Sequence, residues 1–321
     1  MLGAAAIVCA AALVGAGCGD DSESTTGAAA APDPSTFPDP AGRTLEQIAS
    51  EEGGESDLVV APAGQVFHEG ENRLGFGVFT VDRVAVPDAE VAIYAAPPNK
   101  PALGPFPAAA ESLDVGAAFR SRSTASDPDA AKVVYSSEVN FDAKGEWRLL
   151  ALVKQPDGSF KYTAAPSAVV GQFPKVPQPG DKAPVIETLT GDDVGGDLTK
   201  IDTRQPPSTM HEDNFAGVVG TEPIVLLFAT PALCSSRVCG PVVDIAEEVK
   251  AERGDEAAFI MQEIYKDNMV DKGLREQVQA YNLPSEPWLF VIDTEGNIST
   301  AIEGAFSKDE LEAALDQVTA S

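Results

Sequence analysis

Between Leu58 and about Gln172 the chain alternates short apolar runs with turn-forming residues. LVVAPA, GQVF, RLGFGVFTV, AEVAIYAA, KVVYSSEVNF, EWRLLALVK and FKYTAAPSAVV are rich in Val, Phe and Tyr, and Gly, Pro, Asn or Asp separates them. GFGVF and VYSSEVNF carry apolar residues at every second position, the period of a strand with one buried face. The segments Asp142 to Gly145 and Gln155 to Gly158 signal turns, because Gly supplies positive φ. Beyond Pro184 the pattern changes to alternating strands and helices, the signature of an α/β domain. PIVLLFA (Pro223 to Ala229) predicts a buried strand, and Val242, Val243, Ala246 and Val249 form a helical stripe within Gly240 to Arg253. AAFIMQEI predicts a second strand, KGLREQVQAYN a second helix, and WLFVID with NISTAIEG a hairpin. Ser307 and Glu310 open the last helix with a capping-box pattern.

About seven short strands separated by such turns resemble an immunoglobulin-like β-sandwich, assigned here to residues 43–172. The Pro-rich stretch Pro97 to Gly116 is expected as a long loop on it, a docking surface, a ligand lid or a mere decoration. TLEQIASEE (Thr44 to Glu52) has short helical periodicity. Residues 19–42, built largely of acidic, Ser, Thr, Ala and Pro residues, are expected to be a disordered tether, and residues 173–184 (PKVPQPGDKAP at their core) a linker. With 321 residues, 44% of them hydrophobic, the chain is long enough for two cores. Its formal net charge of −28 and the lack of any basic run exclude nucleic acid as the expected partner.

The first eighteen residues contain no charged side chain, and Cys18 is followed by the polar GDDSESTTG. Residues 1–18 resemble a bacterial lipoprotein signal peptide, in which the cysteine after a small-residue box is acylated and becomes the mature N-terminus. Gly15 stands where that box usually has Leu, and a basic n-region is missing; an uncleaved membrane anchor is the competing reading. The resemblance implies a lipid-anchored protein on the extracytoplasmic face of the cell membrane, periplasmic or extracellular. Cleavage would remove Cys9 and lipid would occupy Cys18, which leaves Cys234 and Cys239 to pair in an oxidising compartment.

Residues 185–321 carry the order strand, Cys-bearing loop, helix, strand, helix, Pro-led hairpin, helix. Val225 to Ala229, Cys239-Gly240-Pro241 and Pro284 to Ile292 resemble, in turn, the central strand, the start of the Cys-Gly-Pro-Cys motif and the cis-proline segment of the thioredoxin-like superfamily. DKAP (Asp181 to Pro184) is similar to the lead-in of its thiol-redox and peroxiredoxin members. The resemblance implies an α/β thioredoxin-like fold and thiol–disulfide exchange on the thiols or disulfides of exported proteins, with no cofactor. Cys239, at a helix N-terminus that lowers a thiol pKa, is expected to attack, with Cys234 as its partner. Glu286 and Pro287 are expected to bind the substrate, the first through its backbone and the second through its shape. The chain departs from the family in spacing its pair Cys-x4-Cys and in placing Val242 where the second cysteine usually stands. An alternative register makes Cys234 the attacking sulfur, since it follows Phe228 by six residues.

Other readings use the same residues. A non-catalytic binding or scaffold lipoprotein would hold Cys234–Cys239 as a structural disulfide. A peroxiredoxin-like peroxidase would need Pro-x3-Thr/Ser-x2-Cys, whereas Pro231, Ser236 and Cys239 are one residue too widely spaced, and the downstream Arg253 and Arg275 fall on expected helices. A copper-delivery protein would need a histidine after the cysteines, but the chain's two are His68 and His211; no metal site is therefore expected. The acidic pairs Glu51-Glu52, Asp192-Asp193 and Glu247-Glu248 are expected on solvated faces.

Overall fold

A computed structural model describes Met1 and residues 30–320, so Cys9, Cys18 and most of the expected signal and tether lie outside the described residues. The first domain is an immunoglobulin-like sandwich of β1 (Leu58–Pro62), β2 (Gly70–Thr80), β3 (Val91–Ala96), β4 (Leu103–Pro107), β5 (Ala109–Ser112), β6 (Val133–Phe141), β7 (Gly145–Lys154) and β8 (Phe160–Val170). These strands form two four-stranded antiparallel sheets, ordered β1-β2-β6-β5 and β4-β3-β7-β8. Val91, Ile93 and Ala95 of β3 face the core between the sheets, where Phe76, Tyr135, Phe141 and Trp147 also lie. Ala92, Tyr94 and Ala96 face a second cluster on the outer side, covered by Phe37 and by Leu45 and Ile48 of helix α1 (Leu45–Glu51). A Thr44–Gln47 capping box starts that helix.

Three expectations for this domain need correction. Phe37 is buried and Tyr94 Oη donates to the Pro38 carbonyl at 2.6 Å, so the later part of the 19–42 segment is docked rather than a free tether. Pro97 to Gly116 is not one long loop: β4 pairs with β3, and after the buried Ala108 the chain crosses to the other sheet as β5, paired with β6. Pro105 and Pro107 are tolerated because β4 is an edge strand, where a missing N–H need not break a ladder. GQVF, by contrast, forms no strand; the N–H groups of Gln65 and Val66 go to Glu303 of the second domain.

The second domain is a mixed sheet of β9 (Ile224–Ala229), β10 (Ala258–Glu263), β11 (Trp288–Ile292) and β12 (Ile298–Glu303), in the order β10-β9-β11-β12. β10 lies parallel to β9, while β11 and β12 are antiparallel to their neighbours. Helices α4 (Cys239–Arg253) and α6 (Lys308–Thr319) cover one face, and α5 (Glu276–Ala280) with the short α3 (Phe215–Val218) covers the other. This strand order and helix placement is thioredoxin-like. The second expected helix is only α5 long, since Gly273 takes φ +77° and the Arg275 N–H is spent on the Ile264 carbonyl. Residues 173–184 lie along the outer edge of β12: Gly180 donates to Ile298 O at 2.8 Å, and Ala183 to Gly296 O at 3.0 Å. They cap an edge whose polar groups would otherwise stand unpaired.

The two domains share an interface. A segment between β5 and β6, containing α2 (Arg122–Ser126), lies across the start of α4. Arg73 on β2 donates to Glu310 and to the Ala305 carbonyl, each at 2.9 Å. Gln65 N and Val66 N both donate to Glu303 Oε2 at 2.8 Å. Leu113 and Val134 enter the same apolar cluster as Val242 of α4 and Leu311 of α6.

Candidate functional site

β9 delivers the chain to a loop over residues 230–238, which α4 then ends. The Leu233 N–H bonds to Thr230 O and the Arg237 N–H to Cys234 O, giving two successive turns, and Arg237 takes the left-handed φ of +62°. Cys234 and Cys239 are joined in a disulfide across this loop, with Cα atoms 6.0 Å apart, inside the span a disulfide bridges. The two sulfur-bearing residues differ in cover. Cys239, the first residue of α4, is 0% exposed, while Cys234 is 7% exposed, lies 3.1 Å through its Sγ from Ser236 Oγ, and is followed by the exposed Ser235, Ser236 and Arg237. Attack by Cys239 on an external disulfide needs a sulfur that another polypeptide can touch. Both cysteines are buried in the disulfide form, Cys239 more completely than Cys234, and Cys239 is the one with the helix N-terminus behind it.

The cover comes from the first domain. A Cβ at Gly240 would meet Thr124 Oγ1 of α2 at 2.7 Å, so a larger residue there would have to displace that hydroxyl. Asp244, one turn further along α4, accepts from Ser121 N at 3.0 Å, from Ser121 Oγ at 3.2 Å and from Arg204 Nε at 2.8 Å. The Arg204 guanidinium also donates to Phe119 O at 2.6 Å, which ties the inserted segment to the second domain twice. On the loop itself, Arg237 pairs with Asp127 at 2.8 Å and its carbonyl accepts from Ala131 N at 3.2 Å.

Beneath the loop, at the end of β10, stands Glu263, in register with Ala229. Its Oε2 accepts from Thr203 N at 3.0 Å and from Thr203 Oγ1 at 2.9 Å, and Oε1 accepts from Ile264 N at 3.1 Å. Thr203 Oγ1 in turn accepts from Ala232 N of the loop at 3.1 Å. Burial pushes the Glu263 carboxyl up to about 7 despite these donors. Nearby, burial works against ionisation of Asp202 as well, but His211 at 3.1 Å and the Ser208 and Arg204 N–H groups outweigh it and hold the carboxyl below its ordinary value.

The Glu286–Pro287 peptide is cis. Pro287 is buried, and its carbonyl accepts from Gly304 N at 2.9 Å. Gly304 itself sits so close to the Ala63 carbonyl that a Cβ there would stand 2.5 Å from it, while its φ of +84° also favours glycine. Strand β1 and the residues after it therefore press on the surface beside the cis-proline. What remains open is a cavity of about 440 Å³ between the domains, lined by Phe76, Phe79, Val133, Ser236, Val238 and Glu286 among others. It brings Glu286 together with the flank of the Cys loop, but neither Cys234 nor Pro287 lines it.

Of the remaining candidates, Arg253 is committed to Glu256 and Asp316, and Arg275 to the carbonyls of Tyr265 and Lys200. His211 is buried against Asp202, and the His68 backbone N–H bonds to Asn72 in the first domain. Among the described residues no group of three His, Cys, Asp or Glu side chains is placed to hold a metal ion. Sequence reasoning missed Glu263, Glu303 and Asp244. The one available signal was a Gln-Glu pair closing the otherwise apolar AAFIMQEI, a position where a carboxylate must be buried if the strand is central.

No protein-family profile and no curated protein matches the sequence. Among solved structures, a thiol:disulfide interchange protein of the thioredoxin family from Chlorobium tepidum TLS is similar at 19% identity and a TM-score of 0.30, covering 44% of this chain and 97% of that one. The Lin-41 filamin domain is similar at 11% identity and a TM-score of 0.20, covering 37% of this chain and 97% of that one. At these values the likenesses carry no statement about activity, and the fold assignments stand on strand order and pairing.

Proposed function

We propose that the protein is a lipid-anchored, extracytoplasmic thiol–disulfide exchange protein in which Cys234 is the sulfur that meets the client and Cys239 its buried partner. One observation carries this reading: the disulfide closes the loop between β9 and α4 of a thioredoxin-like domain, and Cys234, the less deeply buried of its two residues, is followed by three exposed residues. A client thiolate that attacks Cys234 Sγ would expel Cys239 as a thiolate at the start of α4, where unpaired N–H groups and the positive end of the helix dipole favour a leaving anion. The membrane assignment is supported by the sequence of residues 1–18 alone; no helix of the described residues is long and apolar enough to cross a membrane.

The test is a single-turnover reaction of the oxidised chain with a reduced dithiol peptide, quenched in acid and read by mass spectrometry. Wild type should lose its disulfide as the peptide gains one. In Cys239→Ser, preloaded with a mixed disulfide to glutathione, a peptide thiol should exchange at Cys234; in Cys234→Ser the thiol of Cys239 should stay unmodified until the chain is unfolded.

The full burial of Cys239 and the close approach of α2 to the next residue, Gly240, favour a second reading, a binding or scaffold protein whose disulfide only staples its loop. A wild-type disulfide that resists the peptide in the folded chain yet reacts promptly in urea would establish that reading and end the first.

A further inference from the structure

The cavity between the domains has walls of two kinds. Phe76, Phe79, Val133 and Val238 make one side apolar, while Glu286 and Glu303 are its charged groups, and among the described residues no Lys, Arg or His lines it. The carboxyl of Glu303 receives Gln65 N, Val66 N and the Ser285 hydroxyl, although burial still holds it above its ordinary value. Glu286 is not: it is half-buried, its carboxyl is held above the ordinary range by burial, and among the described residues neither a hydrogen bond nor a positive charge offsets that cost. The basic residue of the Cys loop, Arg237, is engaged by Asp127 and lines a different opening, alongside Arg122 and Pro231. A volume of about 440 Å³ suits one or two large side chains rather than a folded partner.

An uncompensated carboxylate beside aromatic and aliphatic walls is complementary to one kind of side chain, a long apolar stem ending in a cation. Arg and Lys have that build, and an aromatic face adds attraction for the cationic head. Ser236 belongs to the same wall and its Oγ lies 3.1 Å from Cys234 Sγ, so the cavity adjoins the loop that carries Cys234, the less deeply buried cysteine. We infer that the cavity selects the client: a polypeptide bearing Arg or Lys next to its reactive cysteine, with the cation at Glu286 and the stem against Phe79 and Val133. This rests on the exchange reading above. In the step it serves, the first client thiolate forms a bond to Cys234 Sγ as the Cys234–Cys239 bond breaks and Cys239 leaves with the electron pair. The second client thiolate then displaces Cys234. The client gives up two electrons and two thiol protons and becomes a disulfide; the chain's own disulfide is the oxidant and ends as two thiols.

The experiment uses the oxidised full chain and three dithiol peptides that differ only in carrying Arg, Gln or Glu before the first cysteine. Single-turnover rates at low ionic strength should favour Arg over Gln by about tenfold, the order contributed by a partly buried charge-assisted contact, with Glu slower still. Glu286→Gln should bring the three rates within about twofold of one another, and Glu286→Lys should reverse their order. Equal rates on wild type, or an Arg preference that survives Glu286→Gln, overturns the inference. Versions of the peptides with Ser for Cys, followed by fluorescence anisotropy, separate the two claims. If those bind with the Arg preference while no dithiol peptide is oxidised, the cation site stands and the exchange reading falls; if they bind without preference, the cation site falls whatever the chemistry does.

Discussion

Glu263 offers the sharpest electrostatic test of this structure. It is 1% exposed, and burial raises its carboxyl from 4.5 to about 7 even with Thr203 and Ile264 donating to it. In the unfolded chain the same group titrates near its ordinary value. A carboxyl whose folded pKa is raised holds its proton more tightly when folded, so its contribution to stability is full below about pH 4.5 and is lost as pH rises through about 7. At about 1.4 kcal/mol per unit, the part of that interval between about pH 5 and about pH 8 is a loss of roughly 2–3 kcal/mol. Glu263→Gln removes the titration and keeps an oxygen for Thr203. Urea unfolding of the oxidised wild type and variant across that pH range should therefore show the variant gaining about 2–3 kcal/mol on wild type as pH rises. A donor misplaced by the amide shifts the level of the difference but not its slope, and the other buried carboxyls cancel between the two proteins. Parallel curves would refute the assignment of a raised pKa to this side chain, and with it the claim that Thr203 and the Cys loop rest on a protonatable support.

Removing Asp244 should have a large effect: Asp244→Ala strands Arg204, 6% exposed, and costs about 3–5 kcal/mol by thermal or denaturant unfolding, whereas a loss under 1 kcal/mol would deny that the pair clamps the inserted segment. Reducing the disulfide, whose cysteines are five positions apart, releases a short loop and should lower stability by about 2 kcal/mol, measured by unfolding with and without a non-thiol reductant. Tyr94→Phe removes the hydrogen bond to Pro38 and should cost about 1 kcal/mol. The same variant should speed proteolysis before Thr44; unchanged cleavage would mean that the buried Phe37 and Pro40 hold the segment without that bond.

What could be read from the letters was local. The short helix after Thr44, the capping box at Ser307, the strands β9 and β11 and the onset of α4 each follow from a few adjacent residues, and each is present. What could not be read depends on residues far apart in the chain. The helical stripe of Val242, Val243, Ala246 and Val249 gives no reason to bury Asp244, and only α2 and Arg204 arriving from elsewhere do so. Glu303, at the end of an edge strand, has the look of a solvated residue, yet it receives two N–H groups from residues more than two hundred positions away. Glu247 and Glu248, expected to face water, accept from Thr209 N and Gly116 N. The attack order suggested by Gly-Pro after Cys239 meets a similar obstacle, since Cys239 is the more deeply buried of the two. Helix onset marks where a thiolate is stabilised, but access is decided by what the rest of the chain lays on top.

The presence of Leu113 and Val134 in one apolar cluster with Val242 and Leu311 has an outcome for anyone dissecting the molecule. Cutting within residues 173–184 would not release two portable modules but two fragments, each with a greasy scar where its neighbour had been. The intact chain should melt in one cooperative step, and a fusion that borrowed only the second half would inherit an aggregation problem along with the cysteines.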